Sequence, residues 1–268
     1  MPSSSRLLVY DTPGIHQWTP GPNAYAFDLI VKAAGGGGAS GMSHNTTTSR
    51  LCGPGGGGGA IATNDRRLSA LDFLRGVEIT VGGGGTGGPA PDATNGAWNP
   101  GASGGFSAFG DVLRAEGGFG GGRALGMDQP DISFGGDGGH GILRGGKGGS
   151  FITDPESTDS GIVRILAAGG GGGRGSGYTT SGEVRTATDG GRSGPEYIGT
   201  GWRTVLGPTH TAGNGGSGAF FAGPGYEGQF PCGGGGGGAG GNPGTAGGRG
   251  ADGQVVVIEY LREPEPEV

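Results

Sequence analysis

Several short stretches of this sequence have the spelling of sites that do chemistry. Gly36, Gly38 and Gly41 follow an apolar stretch with the spacing of a dinucleotide-binding loop, which holds a pyrophosphate at the N-terminus of a helix. No helix pattern follows these glycines, and so glycine-rich a chain matches the spacing at several places by chance. The spacing therefore does not predict a nucleotide site.

Two further motifs resemble phosphate-binding and hydrolytic sites. Gly146-Lys147 approaches a P-loop, but Gly148 stands where that loop needs a serine or threonine to bind magnesium. Gly101, Ser103 and Gly105 have the spacing of a nucleophile elbow, without the strand–turn–helix pattern that presents such a serine. Neither motif predicts catalysis.

Metal-binding patterns are also incomplete. Residues 247–253 begin like a calcium-binding nonapeptide repeat, but Gln254 takes the aliphatic position and no tandem copy follows. The histidines are too widely separated to make zinc spacing with the two cysteines: His16, His44, His140 and His210. We therefore expect no catalytic residues, no metal and no cofactor, and interpret the protein as a structural and binding module rather than an enzyme.

The two cysteines have similar surroundings in the sequence. Cys52 and Cys232 each stand just before a glycine run. They predict either a disulfide between neighbouring runs or, as the more usual case, two buried free thiols.

The composition is dominated by glycine. Of 268 residues, 75 are Gly and 17 are Pro, a share that is typical of disordered chains when no strict period accompanies it. The net charge is −6 and no basic run is present, which argues against nucleic acid and anionic membranes as partners. No apolar stretch reaches membrane-spanning length, and Leu7–Tyr10 is too short for a signal peptide. We expect no membrane insertion and synthesis in the cytoplasm.

Amphipathic strands stand beside the glycine runs, a placement that argues against disorder. Apolar residues alternate with a period of two in each of four segments, which predicts strands. Two of these segments, with their glycine runs, are similar enough to indicate an internal repeat. The four predicted strands cover residues 27–33, 77–81, 162–168 and 255–261. Residues 64–75 predict either a helical turn or two, or a loop with a strand.

An ordered glycine run has one obvious structure. A polyglycine-II helix has three residues per turn and no internal hydrogen bonds, so its backbone must pair with neighbouring helices. A surrounded helix then needs Gly at every position, as in 55–59, 169–173 and 233–238, whereas an edge helix tolerates a side chain every third residue. Asp137 and Lys147 stand at such Gly-Gly-X positions. The sequence predicts a mostly β fold: a polyglycine-II lattice or sandwich flanked by short amphipathic strands, with little or no α-helix.

We expect three regions along the chain. Residues 1–34 form an N-terminal strand segment that leads into the glycine runs. Residues 35–261 form the polyglycine-II body with interspersed loops, and residues 262–268 form a charged, frayed tail.

The motifs at both ends and in the middle resemble one known family. The motifs are the turn Trp18-Thr19-Pro20-Gly21, residues 76–85 with the pattern G-V-E-I-T-V-G-G-G-G, the serine- and phenylalanine-containing residues 101–110, and the closing strand of residues 248–260. In these the chain resembles the glycine-rich tail proteins of tailed bacteriophages. It is also similar to the adhesins of T-even-like phages, which pack polyglycine-II helices in a sandwich, although their fibre-attachment domain is not recognisable here.

The resemblance implies a minor tail or tail-tip protein that helps to bind the host. Its implied partners are other phage tail proteins and a glycan or protein receptor on the bacterial surface, and its implied location is the virion. It also implies a homo-oligomer, with a trimer expected from phage-fibre symmetry and a monomeric cap as the alternative. A different class of function, an ice-binding or matrix protein built from polyglycine-II helices, would need a regular Gly-X-X repeat that the chain lacks.

Binding residues are expected in the segments between glycine runs, because the runs offer no side chains. These segments are 44–50, 89–100, 126–133, 176–211 and 219–230. We expect residues 176–211 to project as one long loop, since loops of that length are usually functional. The aromatic and imidazole side chains there either contact a partner or cap the lattice, and the sequence leaves both open. The candidate binding residues are Tyr178, Tyr197, Trp202, His210 and Trp98.

Overall fold

The computed structural model describes residues 4–47, 50–91, 98–122, 134–158, 168–178, 181–193, 212–220 and 223–262. Two antiparallel sheets form one end of the molecule. Their strands are β1 Ser4–Tyr10, β2 Gly14–Trp18, β3 Ala24–Lys32, β4 Ile61–Thr63, β5 Leu68–Ser69, β6 Val77–Val81, β7 Ser107–Phe109, β8 Leu113–Ala115 and β11 Gln254–Leu261. The first sheet has the order β1-β11-β3-β4, with β5 also paired to β3, and the second has the order β2-β6-β7-β8.

Three of the four predicted strands are confirmed. Residues 27–33 fall largely within β3, residues 77–81 are β6, and residues 255–261 fall within β11. The fourth, residues 162–168, lies outside the described residues except for Ala168, which is buried. Of residues 64–75, a part forms β5 and a short 3₁₀ turn, Ala70–Phe73. No α-helix forms in the described ranges, and no helix found there could cross a membrane.

An aromatic core holds the two sheets together. The rings of Trp18 and Phe27 lie 4.7 Å apart between centroids, and Phe109 lies 5.2 Å from Trp18 and 5.6 Å from Phe27. Alternation along β3 and β11 adds aliphatic side chains to the same cluster. Burial of these side chains is the main hydrophobic contribution in a chain with few apolar residues.

A buried carboxylate lies at the margin of this core. Glu259 has no exposed surface, and its Oε1 accepts hydrogen bonds from Trp18 Nε1 at 3.0 Å and from the Gly21 backbone N–H at 3.2 Å. Its Oε2 accepts from Nε and Nη2 of Arg6, at 2.9 and 2.6 Å. Because Arg6 is on β1 and Glu259 is on β11, this ion pair ties the first strand to the last.

The glycine runs form a hydrogen-bonded lattice that extends from the sheets. Gly35, Gly36 and Gly37 donate their N–H groups to Ala251, Gly57 and Ala102, which lie on three different neighbouring segments. Their carbonyls accept from Gly85, Gly235 and Gly121 on three further segments. Three residues later, Gly38, Ala39 and Ser40 donate to Gly248, Pro54 and Asn99, so the partners repeat with a period of three. This is the period of a polyglycine-II helix.

Four such helices are each surrounded by six neighbours and form the lattice interior: residues 34–42, 51–60, 168–176 and 232–241. They contain the glycine runs 35–38, 55–59, 169–173 and 233–238, whereas the run 82–85 lies on a shorter helix at the edge. Shorter helices surround them, at residues 82–88, 99–105, 116–122, 134–140, 145–149, 155–158, 188–192, 212–219, 225–229 and 244–253. Asp137 and His140 are exposed on one of these edge helices, as the Gly-Gly-X pattern predicts.

The close approach explains why the interior needs glycine. A Cβ on Gly171 would lie far inside the van der Waals radius of the Lys147 carbonyl oxygen, and one on Gly235 would clash with that of Gly248. A PPII-type helix rises about 3.1 Å per residue, so the nine-residue helix 34–42 spans about 28 Å.

The cysteines are free and lie far apart. Gly59 N–H donates to the Cys232 carbonyl, whereas Gly53, next to Cys52, donates to Gly238. The six residues between Cys232 and Gly238 correspond to about 19 Å along the helix. The disulfide alternative is therefore excluded, and both thiols are buried.

Candidate binding surface

The lattice brings many loops to one end of the molecule. Residues 34–42 leave the sandwich after β3, and residues 51–60 return to it before β4, so the chain reverses between them at the far end. We call this the distal end. Other pairs of lattice helices also reach this end, where one ends and the next begins: residues 88 and 99, 122 and 134, 149 and 155, 176 and 188, 219 and 225, and 241 and 244.

Backbone and side-chain hydrogen bonds hold the centre of the distal end. His44 N–H donates to the Gly241 carbonyl, and Asn242 Nδ2 donates to Asn45 Oδ1 at 2.9 Å. Arg50 donates from Nε to the His44 carbonyl and from Nη2 to the Asn45 carbonyl. These bonds join two loops that are almost two hundred residues apart in the sequence into one surface.

Tyr178 lies at this end. It belongs to a short hairpin of β9, Gly177–Tyr178, and β10, Val184–Arg185, in which Tyr178 is opposite Val184. Its backbone N–H donates to the Arg50 carbonyl at 3.0 Å, which attaches the hairpin to the central loops. The side chain is half-buried, so it combines packing with partial exposure.

Trp98 lies at the same end and packs against the lattice. Its ring is so close to Gly122 that a Cβ there would clash with it, and the same Cβ would lie 3.1 Å from Ala39 Cβ. The indole is half-buried. The capping alternative left open by the sequence therefore describes much of the role of Trp98.

Tyr197, Trp202 and His210 lie outside the described residues. The expected single loop over residues 176–211 is wrong in one respect, because residues 188–192 return to the lattice: Gly191 N–H donates to the Gly171 carbonyl. Ser193 and Ala212 lie together at the sandwich end of the lattice, where Ser193 Oγ donates to the Ala212 carbonyl at 2.5 Å. The expected loop 176–211 is therefore divided by a hydrogen bond between Gly191 and Gly171, which are distant in the sequence. Sequence patterns do not reveal such a pairing.

Three strongly exposed apolar side chains of the distal end are not among the candidate binding residues, although Val184 and Phe220 lie in the expected segments 176–211 and 219–230. Ile152 is 70% exposed, and Val184 and Phe220 are each 57% exposed. Arg185 lies over the Phe151 ring, with Cζ 5.6 Å from the centroid. Ile152 and Val184 are single apolar residues in polar segments, and only the end of the lattice at which a loop emerges identifies them.

Charged side chains accompany these apolar groups, with Glu183 and Arg185 on either side of Val184. Arg174 is nearly buried below the distal end and donates from Nη1 to Asp154 Oδ1 at 2.8 Å. The distal end thus offers aromatic, aliphatic, amide and charged groups, a mixture that suits a protein or glycan surface.

The motifs that resembled enzyme sites belong to the lattice. Every N–H from Gly36 to Gly41 donates to a neighbouring helix, so none is left for a phosphate. Ser103 Oγ accepts from the Gly120 N–H at 3.3 Å on an edge helix. Burial raises the pKa of the Cys52 thiol to about 11 and that of Cys232 to about 12, so neither is a thiolate at neutral pH. Within the described ranges, no group of three or more His, Cys, Asp or Glu could hold a metal ion.

A family model matches most of the chain. The family described as the glycine-rich domain matches residues 11–260, which cover the whole lattice and every strand of the two sheets except β1 and the last residue of β11. No curated protein matches the chain. The chain therefore belongs to the glycine-rich domain family.

Proposed function

We propose that this protein is a structural component of the tail tip of a tailed bacteriophage and that its distal end contacts a receptor on the bacterial surface. One observation carries the proposal: the lattice collects loops from across the sequence at the end opposite the sandwich. The resemblance of the turn at Trp18 and of the closing strand to phage tail proteins supplies the biological setting.

The physical reasoning begins with rigidity. The interior helices use their backbone groups on neighbouring helices, so the lattice interior has no side chains to offer a ligand. At the tip, recognition must then come from the distal loops, and a rigid base reduces the entropy that these loops lose on binding. This arrangement suits a protein that presents a contact surface at the tip of a large particle.

The distal apolar side chains are the proposed anchors. Phe220 is an exposed aromatic residue of a type enriched at interfaces, and burial of an exposed aliphatic side chain such as Ile152 by a partner is favourable. A single small site binds weakly, so several copies on one particle would raise the avidity. The proposal therefore includes a homo-oligomer, with a trimer as the expected form.

The sandwich end is the proposed attachment to other tail proteins. Leu71 and Leu74, in and beside the 3₁₀ turn, are each 69% exposed there. The two ends of the molecule would then have different partners: tail proteins at the sandwich and the receptor at the distal end.

A matched pair of substitutions tests the assignment of the distal end. Ile152→Ser changes a distal residue that is 70% exposed, and Ile142→Ser changes a residue that is 64% exposed near the sandwich. We expect Ile152→Ser to slow adsorption of the particle to its host by about tenfold, the effect of losing a typical interface anchor. Ile142→Ser should leave adsorption unchanged. Equal adsorption of both variants and the wild type, in assembled particles, would contradict the proposal.

The alternative of an ice-binding protein receives less support. Its flat face would need one small residue type repeated at each outward position. The outward positions on the edge helices of residues 116–122, 134–140 and 145–149 instead carry Glu116, Phe119, Asp137, His140 and Lys147.

A further inference from the structure

One side of the lattice is a flat face built from the edge helices 99–105, 116–122 and 134–140, which lie side by side in that order. The helix 145–149 follows 134–140 at the margin of this face, because 116–122, 134–140 and 145–149 all bond to the interior helix 51–60. Backbone N–H groups donate to carbonyls between neighbouring helices: Gly104 to Gly118, Phe119 to Asp137, and Gly148 to Gly136. Each helix turns one residue in three away from the lattice. We call this face the outer grid.

The hydrogen-bond register aligns the outward residues in rows. The backbone N–H of Glu116 donates to the His140 carbonyl. Three residues further along the same helix, the N–H of Phe119 donates to the Asp137 carbonyl. The row nearest the sandwich therefore contains Phe106, Glu116, His140 and Arg144. The middle row contains Ser103, Phe119, Asp137 and Lys147, and the distal row begins with Pro100 and includes Phe134.

Three phenylalanines lie on a diagonal of the grid. Phe106, Phe119 and Phe134 occupy successive rows and successive helices, so each step moves three residues along and one helix across. With a rise of about 3.1 Å per residue and hydrogen-bonded chains about 5 Å apart, successive positions are about 10 Å apart. Phe106 is 37% exposed, Phe119 is 49% exposed and Phe134 is half-buried.

Two ion pairs lie within the outer grid, and Arg144, at its margin, is the charge for which the described residues show no ion pair. Arg114 Nε lies 2.7 Å from Glu116 Oε1, and Lys147 Nζ lies 3.2 Å from Asp137 Oδ1. The Arg114 guanidinium also lies 3.9 Å above the Phe106 ring centroid. The face is therefore polar and aromatic with its charges locally compensated apart from Arg144, which complements an uncharged polar polymer and not a polyanion.

We propose that the outer grid is a second binding site, for an extended β-1,4-linked chain of N-acetylhexosamines. In such a chain alternate sugars face the same way, and a disaccharide repeat is close to the phenylalanine spacing, so each ring can stack on one sugar of every repeat. The ring faces supply apolar contact, and the paired side chains between them supply hydrogen bonds to hydroxyl groups.

Backbone donors favour the N-acetylated form of the glycan. The N–H groups of Asp137 and His140 have no acceptor within the described part of the chain. An acetamido oxygen is a strong acceptor for such an exposed N–H. This site is distinct from the distal end, and its ligand is selected by repeat length.

Isothermal titration of the full chain with chitohexaose tests the site. We expect saturable binding of chitohexaose, and no binding of maltohexaose, whose α-linkages curve the chain away from a flat face. Phe119→Ala should weaken binding by roughly tenfold, since the central one of three stacking contacts is lost. Phe119→Trp should retain binding, because it keeps an aromatic face at the same position.

Phe230→Ala is the matched control, because Phe230 is 48% exposed, against 49% for Phe119, and follows the helix of residues 225–229, away from the outer grid. It should bind chitohexaose like the wild type. Absence of chitohexaose binding to the wild type, equal binding of maltohexaose, or undiminished binding by a folded Phe119→Ala variant would each overturn the proposal. None of these outcomes affects the proposed function, which is tested by adsorption of distal variants.

Discussion

The backbone N–H of Gly36 donates to the carbonyl of Gly57 at 2.9 Å, and the Gly36 carbonyl accepts from Gly235 at 2.8 Å. One glycine thus joins three of the four interior helices. Repeated along each run, this arrangement replaces side-chain packing with backbone hydrogen bonds, each with a net contribution of about 1 kcal/mol. It also fixes where side chains can appear, because only edge helices and loops have room for them.

Alanine substitutions distinguish the interior from the edge of the lattice. Gly171→Ala and Gly235→Ala place a Cβ against a backbone carbonyl that cannot move independently. We expect each to destabilise the fold by about 3 kcal/mol, which lowers Tm by roughly 6–12 °C. Asp137→Ala and Lys147→Ala remove only an exposed ion pair and should cost less than about 1 kcal/mol. Equal Tm changes for all four variants would contradict the lattice assignment.

Glu259→Gln tests the buried carboxylate that links β11 to β1. The amide cannot accept all four hydrogen bonds from Trp18, Gly21 and Arg6, so a buried donor loses its partner. We expect a loss of about 1–3 kcal/mol in the free energy of unfolding, measured by urea denaturation. Glu116→Gln, in the exposed pair with Arg114, is the control and should change it by less than about 1 kcal/mol. A Glu259→Gln variant as stable as the wild type would show that the carboxylate contributes little.

Lys32 gives the fold a dependence on mildly alkaline pH. Its Nζ donates to Gln254 Oε1 at 2.9 Å in a fully buried site, and burial lowers its pKa from 10.5 to about 8. Above pH 8 the folded chain releases this proton while the unfolded chain retains it, so the Lys32 contribution to stability rises with pH up to about 10.5. Between pH 8 and 9 we expect the wild type to gain about 1 kcal/mol relative to Lys32→Met. Identical pH profiles would exclude this coupling.

The thiols act in the opposite direction at higher pH. The pKa of Cys52 is raised to about 11 and that of Cys232 to about 12, above the ordinary value of 9.0. The unfolded chain therefore loses thiol protons first, and stability falls as the pH rises above about 9. Under native conditions at pH 8, we expect a thiol-specific reagent to label neither cysteine, and to label both after unfolding. Rapid labelling of the native protein would contradict the burial of the thiols.

Local patterns predicted the strands and the lattice interior well. The alternation in β3 and β6 reflects one face packed on the aromatic core, and the uninterrupted run 233–238 reflects a helix with neighbours on all sides. Both are consequences of each segment's own environment, which its own residues record.

The candidate site was harder to predict, because it depends on which helices become neighbours. The backbone N–H groups of Thr188 and Gly191 donate to the carbonyls of Arg174 and Gly171, which places their segment in the lattice. No local sequence pattern marks that segment as a lattice helix. Tyr178 and Trp98 were predicted from residue type and from their segments between glycine runs, and both lie at the distal end. Ile152 stands out only once the lattice places its loop at the distal end.

A cryo-EM map of the intact particle that carries this chain tests the central claim most directly. The account predicts density for the sandwich end against the other tail proteins, with the distal loops around Tyr178 and Ile152 facing away from the particle. A map in which those loops are buried against the tail, or in which the chain is absent from the particle, would contradict it.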